Sequence, residues 1–203
     1  MVLERSDPTR ITAFTDGVMA VAITLLVLNI EVPHVPDSEL ASSLDDLVTP
    51  LGAYALSFAL VGRFWIIHHR LFEVVERFDG PLMAMNLLFL ALIALVPFST
   101  NLLSDYSEVP EAAAVFGATI GLASLTNWAM AVYTRRRAFV HRHGDRLAQP
   151  FGSRLGLIFS AIFFVSMPVA YISTTLAMAL WVSAIFVRYP LRLVAGRADE
   201  TSS

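Results

Sequence analysis

The amino-acid sequence predicts an all-α integral membrane protein with six transmembrane helices. Hydrophobic residues make up 56% of the 203-residue chain and charged residues only 15%, against roughly 45–50% and about 25% in soluble domains. In addition, apolar stretches close to the roughly 20 residues needed to cross a bilayer recur six times. We therefore expect the lipid bilayer, and no nucleic acid, as a partner.

Polar loops separate the six apolar segments, and we expect the whole chain, 1–203, to form a single transmembrane domain. The predicted helices cover 10–31, 51–73, 81–103, 112–134, 154–172 and 174–190. Most prolines lie near the boundaries, where helix breakers are expected. Pro168 lies inside the fifth segment and predicts a kink near its far end. Asp16 interrupts the first segment, which makes it a poor signal peptide.

The distribution of arginine predicts the orientation, because cytoplasmic loops carry an excess of basic residues. The chain has no lysine, and Arg63 is the one arginine well inside a predicted span. The others lie in the N-terminal stretch, in 70–80, in 135–153 with Arg154 at its edge, and in the C-terminal stretch. The intervening loops 32–50, 104–111 and 171–176 contain no arginine. We therefore expect a multi-pass protein of the cell membrane with both termini in the cytoplasm.

The outer loops are acidic and contain no arginine or lysine. Their carboxylates are Glu31, Asp37, Glu39, Asp45, Asp46, Asp105, Glu108 and Glu111. This pattern is typical of a solvated outer face, and it also fits a vestibule that attracts cations.

Ionisable side chains within the bilayer are costly and usually functional. Here we expect only four within the bilayer, and one neutral amide accompanies them: Asp16, Arg63, His68, His69 and the amide Asn86. Asp16 lies about 9 Å beyond Arg10 along its helix, and the histidines and Asn86 lie five or six residues from the same surface. We therefore expect one polar layer in the cytoplasmic half, where arginine, histidine and asparagine can reach Asp16. Trp65 shares a helical face with His69.

Two interpretations of this polar layer stay open. It could be a structural cluster that joins the first three helices, or it could relay protons or ions. A proton-coupled secondary transporter using Asp16, His68 and His69 is the alternative function. The relay is less favoured because Asp145, in a loop, is the one acid between 112 and 198.

The sequence predicts no enzyme, no cofactor and no metal site. The absence of cysteine excludes thiolate ligands and a cysteine nucleophile. His68 and His69 are adjacent, so on a helix they point about 100° apart, which is poor geometry for one metal ion. His141 and His143 have no further ligands near them in the sequence.

A stripe at helical spacing runs along the first segment. It comprises Gly17, Val21, Thr24, Leu25 and Leu28. Small residues such as Gly17, Ala20 and Ala22 let other helices approach closely. On the pattern alone, ordinary helix packing is the favoured interpretation.

Three sequence blocks resemble the transmembrane-protein-175 family of potassium channels. Arg10-x-x-x-Phe14-Thr15-Asp16, followed by Gly17-Val18 and AITLLVL, is similar to the family signature Arg-x-x-x-Phe-Ser-Asp. Thr15 replaces the serine and keeps its hydroxyl. The blocks SFALVGRFWIIHHRLF and NLLFLALIALVPFSTNLL also match. The resemblance covers 10–103, whereas 104–203 agree in topology and length only.

The resemblance implies a homotetramer that conducts potassium and other monovalent cations, with the first helix of each subunit lining a central pore. Val21, Leu25 and Leu28 would form apolar constrictions, and Thr24 would contribute to ion selectivity. Val21 stands where a larger residue is common, so its ring would be wider. No carbonyl filter loop of the TVGYG type is present.

The resemblance also implies that a structural polar network ties the pore helix to the second and third helices. Its members would be Arg10, Phe14, Thr15, Asp16, Trp65, His68, His69 and Asn86.

Overall fold

The computed structural model describes residues 8–137, 139 and 154–186, and within this part of the chain it is all-helical. Its helices are α1 (Pro8–Leu25), α2 (Leu40–Ser43), α3 (Val48–Glu73), α4 (Gly80–Ala94), α5 (Val96–Asp105), α6 (Pro110–Arg136), α7 (Arg154–Ala170) and α8 (Thr174–Phe186). The predicted all-α class is confirmed.

Each predicted segment contains a helix, but two segments change geometry along their length. The first continues beyond α1 as a 3₁₀ turn, Leu26–Asn29. The third is divided into α4 and α5 at Leu95. Pro97 explains the second break, because its ring lacks an N–H and would collide with the carbonyl four residues earlier in a continuous helix. Pro168 lies within α7, two residues before that helix ends.

Four helical stretches in the described residues are long and apolar enough to cross a membrane. They are Thr9–Leu28, Leu40–Glu73, Gly80–Asp105 and Pro110–Arg136. Two further apolar helices, Gly156–Ala170 and Thr174–Ile185, are shorter. The chain is therefore a multi-pass membrane protein, while six full spans remain a prediction.

Close backbone approach joins α6 to α7. A Cβ atom added at Gly117 would lie 3.2 Å from the carbonyl oxygen of Phe163, and one at Gly121 would lie 3.2 Å from the ring of Phe164. Ser160 Oγ donates to Ser124 Oγ at 2.8 Å across the same contact. Glycine and serine at such a contact allow two membrane helices to pack tightly, so α6 and α7 form a closely packed pair.

Candidate functional site

The first polar contact joins α1 to α3. Trp65 Nε1 donates a hydrogen bond to Asp16 Oδ1 at 2.9 Å. One turn further along α3, His69 stacks on Trp65 with ring centroids 5.3 Å apart. His69 Nε2 lies 3.3 Å from Glu73 Oε1. These four side chains form a continuous column from Asp16 to the end of α3.

The second polar contact is fully buried and joins α1, α3 and α4 through Asn86. The amide Nδ2 donates to Thr15 Oγ1 at 3.1 Å, and Oδ1 lies 2.9 Å from His68 Nε2. An amide oxygen can only accept, so Nε2 is the protonated ring nitrogen of His68. Asn86 and Thr15 are 0% exposed and His68 is 2% exposed. Asn86 thus satisfies two buried groups on different helices.

Aromatic rings fix the orientation of His68. Its ring stacks on Phe72 at 4.0 Å and on Phe89 at 5.1 Å between centroids. Phe72 belongs to α3 and Phe89 to α4, so the imidazole is held in the plane that aims Nε2 at Asn86.

Arg63, which was expected to reach Asp16 within this polar layer, contacts α7 and α8. Its guanidinium carbon lies 4.5 Å from the ring centroid of Phe159 on α7. Its Nη1 donates to the carbonyl oxygen of Ile185, in the last turn of α8, at 3.4 Å. Residues two apart on a helix point about 200° apart, so Arg63 faces α7 and α8 whereas Trp65 faces α1.

The structure also changes the expected partner of Asp16. Arginine, histidine and asparagine are the partners that the sequence predicts, but the hydrogen bond comes from Trp65. An indole N–H can only donate a hydrogen bond. A tryptophan within the bilayer therefore needs an acceptor, and this need could have indicated its contact with Asp16. Arg10 and Phe14 lie exposed on α1.

The predicted stripe on α1 lies on an exposed face of the single chain. Val21 is 57%, Leu25 42% and Leu28 71% exposed, while Met19 and Leu26 on other sides of the helix are buried. Because a 3₁₀ helix has three residues per turn, Leu28 stays in line with Leu25 beyond the end of α1. The change of helix type therefore keeps the stripe on one face.

An apolar groove of about 410 Å³ follows the same face of α1. It is lined by Phe14, Gly17, Val18, Val21, Ala22, Leu25 and Ala94. In the candidate span Thr9–Leu28, which covers nearly all of α1, only 28% of the most apolar part is buried. This is the lowest share among the four candidate spans in the described residues. Much of α1 therefore presents apolar surface that the rest of the described residues leave uncovered.

Thr24 lies exposed beside Leu25. Its Oγ1 donates to the carbonyl oxygen of Val21 at 2.8 Å. A hydroxyl has one hydrogen and two lone pairs, and this bond uses the hydrogen. The lone pairs of the oxygen therefore stay available to a cation.

Among the described residues, no group of three or more histidine, aspartate or glutamate side chains could hold a metal ion.

Comparison with known proteins identifies the family. The family model described as the endosomal/lysosomal potassium channel TMEM175 matches residues 10–97. The crystal structure of a lysosomal potassium-selective channel TMEM175 homologue from Chamaesiphon minutus superposes with a TM-score of 0.76 and 32% identity, covering 88% of this chain and 95% of that one. The chain belongs to the TMEM175 family.

Further relatives agree with this membership. A protein named as a potassium channel from Chamaesiphon minutus is 46% identical over 112 residues, covering 54% of this chain and 55% of that protein. A second protein named as a potassium channel, from Streptomyces collinus, is 40% identical over 114 residues, covering 56% of this chain and 55% of that protein. The sequence match thus spans about half of each curated relative. These relatives are named as ion channels and not as enzymes, in agreement with the prediction that the chain is not an enzyme.

Proposed function

We propose that this protein is a potassium-permeable cation channel. The observation that carries the proposal is the uncovered apolar stripe on α1, in a member of a family whose prokaryotic relatives are named potassium channels. A pore helix needs a face that stays free within its own subunit, and α1 has such a face with respect to residues 8–137 and 154–186.

In the proposed channel, four copies of α1 surround a central pore. Val21, Leu25 and Leu28 each supply a ring of four apolar side chains, and such rings close a pore by excluding water. Thr24 supplies four hydroxyl oxygens that replace part of the hydration shell of a permeating ion. The groove beside α1 supports this arrangement, because a neighbouring subunit could cover it.

The polar contacts of α1 act as its anchor in this proposal. The Trp65–Asp16 and Asn86–Thr15 hydrogen bonds attach the first half of α1 to α3 and α4. The rest of α1 then carries the apolar rings. Arg10 and Phe14 lie exposed at the start of the helix, so their part in the network rests on the family resemblance.

The proposed membrane topology has six spans, with both termini on the cytoplasmic side of the cell membrane. The alternation of arginine-rich and arginine-free connections supports it. The acidic, arginine-free loops would then face outward and concentrate cations at the pore entrance.

Proton transport is the second candidate. A bovine relative, 35% identical over 134 residues and covering 60% of this chain and 28% of its own length, is named as an endosomal/lysosomal proton channel. Protons could pass through the channel itself, or Asp16, His68 and His69 could serve a proton-coupled transporter. The column of Asp16, Trp65, His69 and Glu73 contains titratable groups that such a route needs.

Recordings from purified protein in planar bilayers distinguish these functions. With potassium on one side, sodium on the other and equal pH, we expect a reversal potential that favours potassium and a current that needs no proton gradient. A current that follows the proton gradient at equal potassium concentrations supports proton permeation. Transport with a fixed stoichiometry to protons, and no conductance without them, contradicts the channel proposal.

The oligomeric state is a separate prediction. We expect a homotetramer with a protein mass of four times the 22.3 kDa chain, because one copy of α1 cannot enclose a pore. Native mass spectrometry in mild detergent, repeated after reconstitution in lipid nanodiscs, measures this mass. A monomer in both environments excludes the proposed pore.

A further inference from the structure

Consecutive arginines end the longest described helix. Glu111 and Arg135 on α6 are separated by about 36 Å along the helix axis, whereas the hydrocarbon core of a bilayer is about 30 Å thick. Arg136 and Arg137 follow and are exposed. When α6 spans the membrane, these two guanidinium groups reach the level of the lipid headgroups.

Backbone hydrogen bonds bring a third arginine to the same place. Glu76 N donates to the carbonyl oxygen of Phe139 at 2.9 Å, and Phe139 N donates to that of Thr134 at 3.0 Å. The chain after α6 is thereby fastened to the connection between α3 and α4. Arg77, the neighbour of Glu76, is exposed on this connection. We call Arg77, Arg136 and Arg137 the arginine surface.

Two nearby carboxylates are engaged within the protein. Asp79 Oδ1 accepts from the backbone N of Leu82 at 3.0 Å and caps α4, and Asp79 Oδ2 accepts from the hydroxyl of Tyr133. Glu73 contacts His69. Hydrogen bonding does not remove the charge of these carboxylates. Residues 70–79 and 135–137 contain five arginines against Glu73, Glu76 and Asp79, so this end of the bundle keeps a net positive charge.

We propose that the arginine surface binds the phosphate of anionic phospholipid headgroups. Guanidinium groups form charge-assisted, often bidentate hydrogen bonds with phosphate. Each basic residue directly beyond a membrane helix raises the affinity for anionic lipid about fivefold. The guanidinium of Arg137 also lies 5.6 Å from the ring centroid of Tyr133, which holds Asp79. A bound headgroup would thus rest directly on the side chain that links α6 to the start of α4.

The test measures binding in neutral detergent by native mass spectrometry, so it does not depend on channel activity. Short-chain phosphatidylglycerol is compared with short-chain phosphatidylcholine, and inorganic phosphate is added as a competitor. Arg136→Gln/Arg137→Gln removes two charges from the surface, and Arg136→Lys/Arg137→Lys keeps them. Arg5→Gln/Arg197→Gln is the control that removes two charges from the terminal stretches.

We expect phosphatidylglycerol to bind more tightly than phosphatidylcholine, and the glutamine pair to weaken its binding about 25-fold. The lysine pair should retain most of the affinity, and the terminal pair should change it less than about twofold. Equal binding of the two lipids overturns the proposal. So does equal loss in the two glutamine pairs, which would indicate a nonspecific charge effect. Competition by inorganic phosphate at the lipid's own concentration would assign the surface to free phosphate instead.

Discussion

Replacing Asn86 with leucine is expected to destabilise the protein strongly and to reduce the yield of assembled oligomer. Leucine has a similar size but leaves Thr15 Oγ1 without its donor and His68 Nε2 without its acceptor. Both groups are buried, and an unsatisfied buried polar group costs about 1–3 kcal/mol. Thermal unfolding in detergent, followed by size-exclusion chromatography, measures the loss.

The chain offers a matched control in Asn127, on α6. This asparagine is also buried, at 6% exposure, but its Oδ1 has no hydrogen-bond partner within the described part of the chain. Removing a buried amide oxygen that has no partner recovers its desolvation cost, so an apolar side chain of similar shape is expected to be neutral or stabilising there. Asn127→Leu should therefore keep or raise the unfolding temperature. If the two variants lose stability equally, the polar contacts of Asn86 are not what holds α1.

The positions of the helices and the depth of the polar groups could be predicted from the sequence, because both depend on how many residues separate two points of the chain. Apolar length located each helix, and 1.5 Å per residue placed Asp16, His68 and Asn86 at one level. The hydrogen bonds of Asn86 to Thr15 and His68 join residues at that level. Depth along each helix was therefore enough to predict that Asn86 and His68 lie at the level of the residues around Asp16.

Rotation about a helix axis could not be predicted in the same way. Arg63 and Trp65 are two residues apart, yet they contact opposite sides of the bundle, because the packing of α7 and α8 decides which side of α3 they meet. The 3₁₀ turn after Leu25 was also missed, since no proline or glycine marks it in the sequence. By contrast, Pro97 marked the break at Leu95, but its effect within a continuous apolar run was not anticipated.

Leu25→Ala and Leu28→Ala are each expected to raise the basal current through the proposed pore. Each change removes four isobutyl ends at one level, so water enters the ring more easily and the dewetting barrier falls. A barrier lowered by about 1.4 kcal/mol gives a tenfold larger current. Val27→Ala is the matched control, because Val27 is 50% exposed on the same 3₁₀ turn but lies off the stripe.

Thr24→Val is expected to act on ion preference instead. Valine keeps the volume of threonine and deletes four hydroxyl oxygens from the proposed pore. The lost hydrogen bond runs to Val21 within the same helix, so folding should be little affected. We expect the reversal potential under potassium–sodium bi-ionic conditions to move toward zero, and Thr24→Ser, which keeps the hydroxyl, to resemble the parent protein.

The two sets of variants together test where the pore lies. Apolar rings should control how much current flows, whereas Thr24 should influence which ion carries it, so current amplitude and reversal potential should change in different variants. A larger current in Val27→Ala than in the ring variants would mean that a different face of α1 lines the pore. If amplitude and reversal potential stay unchanged in all of them, α1 does not line the pore, and its exposed stripe is a packing surface for lipid or a neighbouring subunit.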